Sequence, residues 1–205
     1  MRTLPAFLSR FGIALAAASW FMGCSSLGQI PKSNFPMPAW QLPTADGDTM
    51  SATSLRGRPG LLVWVDPTCP DFQDVSGSEG PLKLFETRWM EDPRHIWVTY
   101  VASRKSTDPS YMDGPMWKSW LKDQKLRGQI VMDENGILAK QWNVGRVPSA
   151  SLVDSAGNVR WSGPAELATD VFGYPDISIA LDSMLAGRPL PPVQPSPVRG
   201  CALKD

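Results

Sequence analysis

The stretch LLVWVDPTCPDF, residues 61–72, joins a continuous apolar run to a cysteine–proline pair. A short apolar run bounded by turn residues is how a strand buried on both faces reads. Gly60 precedes the run, and Asp66 and Pro67 end it. Pro70 suits the first position of a helix, because it has no N–H to leave unpaired there. Cys69 therefore stands where a buried strand gives way to a helix, and free N–H groups and the helix dipole favour a thiolate at such a place. Asp66, Asp71 and Asp74 oppose this, because carboxylates within about 4–6 Å disfavour a second negative charge. The helix is predicted to be short, since SGSEGP (76–81) interrupts it within two turns.

Beyond that point strands and helices alternate. PLKLFETRWMED (81–92) places Leu82, Phe85 and Trp89 at helical spacing, and HIWVTYVAS (95–103) reads as a second buried strand. MWKSWLKDQ (116–124) carries Trp117, Trp120 and Leu121 on one helical face. QIVMD (129–133) is a third strand, and NGILAKQWNV (135–144) a short helix entered through a turn. PSASLVD and NVRWSG, joined by SAG, form a hairpin. PDISIALDSMLAG (175–187) has Ile177, Ala180, Leu181 and Leu185 in helical register and ends on a glycine. This order predicts one α/β domain over 36–187, with a mixed central sheet flanked by helices.

The flanks differ in kind. MRTLPAFLSR carries two arginines and no acid, and FGIALAAASWFMG then runs uncharged. Together they fit the charged and apolar regions of a secretory signal, 1–23, and are too short to span a bilayer comfortably. The following GCSS resembles a bacterial lipoprotein processing site. It implies that Cys24 becomes the lipidated first residue of a periplasmic protein held at a membrane surface. Phe21 departs from the aliphatic residue usual in such sites, and an ordinary signal cut nearby, or an N-terminal anchor, is the alternative. Ser25 and Ser26 resemble the pattern for outer-membrane rather than inner-membrane sorting. Residues 24–35 read as a polar, proline-broken linker. At the other end, RPLPPVQPSPVRGCALKD (188–205) is a proline-rich, extended arm that carries Cys201.

Basic and acidic residues balance at 20 each, which gives no footprint for nucleic acid. His95 is the one histidine, so a multi-histidine metal site is excluded. Neither a metal nor another cofactor is expected. The chain has three cysteines; with Cys24 given to lipid, Cys69 and Cys201 remain in an oxidising compartment. Arg199 and Lys204 flank Cys201 on an arm whose residues 188–200 span up to about 40 Å as polyproline. Cys201 is thus the candidate to resolve a mixed disulfide or sulfenic acid formed on Cys69. The alternatives are a permanent staple and a Cys69 that is simply a small buried residue.

Several pieces together resemble the thioredoxin-like redoxin superfamily. MSATSLRGRPGLLVWVDPTCP (50–70) resembles its run from a polar loop through L-x-G-[KR]-P into a strand and the reactive cysteine. VMDENGILAKQWNVGRVPSASLVDSAGNVRWSG (131–163) resembles its second half. The resemblance implies a thioredoxin-like fold and a cis proline at Pro148, preceded by Val147, beside the active cysteine and Pro70. The ending PVRGCALKD is similar to that of redoxin proteins with C-P and no second cysteine. Asp71, Phe72 and Gln73 depart from that group's usual residues. The peroxiredoxin proline and threonine would fall on Leu62 and Asp66, which do not match. The resemblance therefore implies a thiol–disulfide oxidoreductase acting on protein thiols, disulfides or small oxidants. The alternatives are a thiol peroxidase and a redox-inactive binding module. Trp64, Trp89, Trp97, Trp117 and Trp120 are expected in the core, with Trp142 and Trp161 lining a groove beside Pro148. Asp133 and Asp154 are expected to cap turns.

Overall fold

The computed structural model describes residues 34–77, 80–91, 96–164, 176–190 and 200–203. The expected signal, Cys24 and His95 lie outside the described residues, as do residues 191–199 of the arm.

Strand β1 (Phe35–Pro36) is followed by β2 (Gln41–Pro43) and β3 (Thr49–Ser51), then by β4 (Gly60–Trp64) and helix α1 (Pro70–Ser76). Next come α2 (Pro81–Met90), β5 (Trp97–Ala102), α3 (Gly114–Asp123), β6 (Gln129–Met132) and α4 (Ile137–Gln141). The chain continues through β7 (Arg146–Val147), β8 (Ser149–Val153), β9 (Asn158–Pro164), α5 (Asp176–Leu185) and β10 (Cys201–Ala202). Six of these strands form one sheet in the order β1-β9-β8-β4-β5-β6. β4, β5 and β6 run parallel, whereas β8 pairs antiparallel with both β4 and β9. The predicted mixed α/β sheet is the one observed.

The central strands are apolar because both faces are covered. Every residue of β4, β5 and β8 is buried. Leu82, Phe85 and Trp89 of α2 are buried as their spacing predicts. Trp64, Trp89, Trp97 and Trp117 are buried core residues, and Trp120 packs against the core from its edge. Phe72 is fully buried, and its ring stacks on that of Trp120 at 5.8 Å between centroids, locking α1 onto α3.

Two carboxylates are built into this core. Glu86 of α2 is fully buried, accepting hydrogen bonds from Arg127 N (2.8 Å), Gly128 N (2.7 Å) and Tyr100 Oη (3.0 Å). Burial pushes the Tyr100 hydroxyl well above its ordinary range, and the adjoining Glu86 charge and hydrogen bond push it further. Asp133, also fully buried, accepts from Leu138 N and Ala139 N at the start of α4 and from Ser103 Oγ. Asp154 accepts from Ala156 N and Asn158 N in the β8–β9 turn, where Gly157 takes φ +86°. Both aspartates hold turns, as predicted.

The sequence reading missed β1 and the β2–β3 hairpin. β1 starts at Phe35, placed in the linker, and consists of two residues, one of them proline. β2 also ends in a proline, so neither shows a period-2 run long enough to register. Helix α3 begins two residues before the predicted start, because Asp113 caps it by accepting from Met116 N at 2.9 Å. No helix among the described residues is long and apolar enough to cross a membrane.

Candidate functional site

Cys69 sits at the N-cap of α1, immediately after the loop that follows β4, with Pro70 in the first turn. Phe72 N and Gln73 N both donate to Cys69 O, at 3.0 and 2.9 Å, so the cysteine's own carbonyl starts the helix. The loop before it is closed from both sides. Cys69 N donates to Asp66 O, and Gln73 Nε2 reaches back to Pro67 O at 2.7 Å. The side chain of Cys69 is 1% exposed.

Cys69 and Cys201 form a disulfide, with Cα atoms 5.7 Å apart and a separation of 132 positions in sequence. The Val147–Pro148 peptide bond is cis. Val147 O lies 3.6 Å from Cys69 Sγ, so the turn at Pro148 presents main chain to the sulfur. The arm meets that same main chain. β10 pairs antiparallel with β7, setting Cys201 opposite Val147 and Ala202 opposite Arg146. Leu203 N extends the ladder by donating to Gly145 O at 3.0 Å. Gly200 completes the hold: its N–H donates to Asp71 Oδ2 at 2.9 Å, and Arg146 Nη1 donates to its carbonyl at 2.7 Å. The end of the arm is therefore a strand of the site.

Asp66 and Asp71, two of the three aspartates crowding Cys69 in sequence, take different partners. Asp66 is buried and accepts from Thr68 N (2.9 Å) and Thr68 Oγ1 (2.7 Å). It also forms an ion pair with Arg104, whose guanidinium reaches Thr68 Oγ1 at 3.1 Å and Asp108 at 3.3 Å. The Asp66 charge is thus balanced by a cation from the loop after β5. Asp71 is turned to the arm. Its carboxylate and the two sulfurs lie within 4.8 Å of one another, a grouping able to ligate a metal ion; in the oxidised pair both sulfurs are consumed by their own bond.

Arg104 and Arg146 escaped the sequence reading. Arg104 carried one available signal: it comes two residues after the run 96–102, just past the end of a strand adjacent and parallel to β4. Arg146 carried none beyond its place two residues before Pro148. Beside the arm lies a cavity of about 300 Å³, walled in part by Arg104, Glu134, Lys140, Val144 and Leu203. Trp142 and Trp161 do not line a groove. Trp142 is buried against Trp64 at 5.6 Å and Phe35 at 6.3 Å between centroids, and Trp161 is a buried residue of β9 opposite Leu152.

Solved structures share this arrangement of strands and helices. An uncharacterized conserved protein from Geobacillus kaustophilus superposes with a TM-score of 0.72 at 19% identity, covering 86% of this chain and 93% of that one. The fold is thioredoxin-like. A hypothetical protein from Sinorhizobium meliloti 1021 superposes with a TM-score of 0.70 at 17% identity, over 84% of this chain and 93% of that one. The thioredoxin domain of a thiol-disulfide oxidoreductase from Bacteroides vulgatus gives 0.50 at 14% identity, over 64% and 87%. No protein-family model matches the chain, and no curated protein matches it in sequence.

Proposed function

We propose that this thioredoxin-fold chain is a thiol–disulfide oxidoreductase in which Cys69 is the nucleophile and Cys201 the resolving thiol. It is exported to the bacterial periplasm and tethered by lipid on Cys24, at the outer rather than the inner membrane. Its substrates are protein disulfides and thiols. One observation carries the reading: the disulfide Cys69–Cys201 is made by an arm added as a strand to the main chain before Pro148.

In the reducing direction the Cys69 thiolate attacks one sulfur of a substrate disulfide. A Cys69–substrate disulfide forms, and the other substrate sulfur leaves as thiolate. The Cys201 thiolate then attacks the Cys69 sulfur. The Cys69–Cys201 bond forms, the second substrate thiolate leaves, and two electrons have passed from the enzyme dithiol to the substrate. The two enzyme thiol protons balance the two substrate thiols. A dithiol reductant returns the enzyme to its starting state, and an oxidising cycle runs these steps backwards. Because β10 and an incoming extended segment would use the same edge of β7, docking of the arm displaces product.

A permanent staple is the second reading, favoured by the near-complete burial of Cys69. The two differ in turnover. With insulin as substrate and dithiothreitol as reductant, the wild-type protein accelerates disulfide reduction and Cys69→Ser does not. Equal rates for both proteins would leave the staple.

A further inference from the structure

If Cys69 exchanges disulfides, as proposed above, the arm shows how the site holds the segment bonded to it. Most of that hold is main-chain pairing, which any extended segment can make. The exception lies at Gly200, the residue before the cysteine. Its N–H and C=O are each taken by a side chain, Asp71 Oδ2 at 2.9 Å and Arg146 Nη1 at 2.7 Å. These are charge-assisted bonds from opposite sides of one residue. They fix its backbone at φ +97°, in the region that glycine enters and other residues enter only with strain. A β-carbon added there would collide with Val147 O and stand 3.1 Å from Val147 C. That neighbour cannot give way cheaply, because Val147 is fully buried and lies between β10 and the turn at Pro148.

The geometry points to a selective binding site: Asp71 and Arg146 clamp the residue preceding a target cysteine, and the clamp accepts glycine there. The ligand class is an extended polypeptide containing Gly-Cys followed by a small and then an apolar residue, as in the chain's own Gly200-Cys201-Ala202-Leu203. Ala202 is exposed, whereas Leu203 packs against the core and borders the cavity beside the arm, which offers room for an apolar side chain at that position. The arm is accordingly the resident ligand, and a substrate segment competes with it. Asp71 and Arg146 are positioning residues, since both act on the bound main chain.

The test uses full-length Cys201→Ser protein, which leaves Cys69 as the thiol at the site. Two synthetic peptides, PVRGCALK and its PVRACALK counterpart, are each prepared as the mixed disulfide with glutathione. Attack of the Cys69 thiolate on the peptide sulfur forms a Cys69–peptide disulfide and releases glutathione thiolate, which intact-protein mass spectrometry follows with time. A small aromatic disulfide, dithiobis(nitrobenzoate), reports the thiol's intrinsic reactivity. The glycine peptide should react at least about tenfold faster than the alanine peptide, the ratio that corresponds to about 1.4 kcal/mol. Asp71→Asn and Arg146→Gln should each lower the glycine peptide's rate severalfold relative to the small disulfide's rate measured on the same variant, which corrects for the charge removed near the sulfur. Equal rates for the two peptides overturn the clamp and leave the thiol reading standing. The clamp is equally overturned if neither peptide reacts while the small disulfide does. A Cys69 that reacts with none of the three overturns the thiol reading and the clamp with it.

Discussion

Cys201 stands directly opposite Val147 in an antiparallel pair, and Val147 O faces the sulfur to which Cys201 is bonded. A staple needs two cysteines within reach. Here the strand that carries the second cysteine is also docked on main chain beside the first, by the ladder from Gly145 to Val147 and by the side chains of Asp71 and Arg146. On the proposed cycle, residues 200–203 leave this site when the Cys69–Cys201 bond is exchanged.

On the proposed cycle, removing Cys201 should separate the two half-reactions. Cys201→Ser is expected to accumulate Cys69–substrate disulfides and to lower steady-state insulin reduction, while Cys69→Ser abolishes both. Non-reducing electrophoresis after acid quenching detects the adduct. Equal turnover for Cys201→Ser and wild type would show that resolution does not need the arm.

The residue three positions after Cys69 is structural. Phe72 is fully buried and stacked on Trp120, so Phe72→Ala should cost about 3–5 kcal/mol of stability, as large-to-small core substitutions of this kind do. Urea unfolding measures it. A loss below about 1 kcal/mol would contradict the role given to this ring in fixing α1.

Glu86 is a carboxylate whose partners are themselves sequestered. Glu86→Ala strands the amides of Arg127 and Gly128 and the Tyr100 hydroxyl, so it should destabilise by about 3–5 kcal/mol. Tyr100→Phe removes a single donor and should cost about 1.5–3 kcal/mol, the range for hydrogen bonds to charged groups. The same chemical denaturation series checks both, and a larger loss for Tyr100→Phe than for Glu86→Ala would reverse the assignment.

Stability should also depend on pH at both extremes. Burial and then Glu86 raise Tyr100, and burial and then Glu134 push Tyr111 up to about 12. A group raised in the folded state gives stability that is complete below its unfolded value, near 10 for tyrosine, and is lost as pH climbs through the folded value. Stability should therefore decline above about pH 10, and Tyr100→Phe should flatten the decline. Asp154 shifts the other way. Burial alone would raise it, but hydrogen bonds from Asn158 and the Arg160 guanidinium outweigh burial and hold it below its usual range. Its contribution is present above the unfolded aspartate value, about 3.9, and is lost as pH falls through the lower folded one. Denaturant midpoints across this range test both signs. A Tyr100→Phe profile parallel to wild type, or an Asp154→Asn profile parallel to it in acid, would contradict them.

The central sheet and its helices were legible because their signals are local. A run such as LLVWV states its own burial, and Leu82, Phe85 and Trp89 state theirs through spacing. The pairing of Cys69 with Cys201 was legible as a candidate. What stayed hidden depends on partners distant in sequence. Phe35 becomes a strand only because β9 lies beside it, and Asp71 acquires a role only when Gly200, 129 positions on, is brought to it. The three aspartates near Cys69 could be counted but not placed. The cation that balances Asp66 comes from Arg104, and nothing between residues 61 and 72 announces it.

The central claim is that the Cys69–Cys201 bond opens and closes in use. Equilibrating wild-type protein in dithiothreitol or glutathione buffers of graded potential, then alkylating and weighing it, counts the oxidised fraction directly. The account predicts reversible two-electron behaviour with a midpoint between about −120 and −270 mV, the range spanned by disulfide-exchange proteins. A bond that stays closed below about −300 mV, as structural disulfides do, would contradict it.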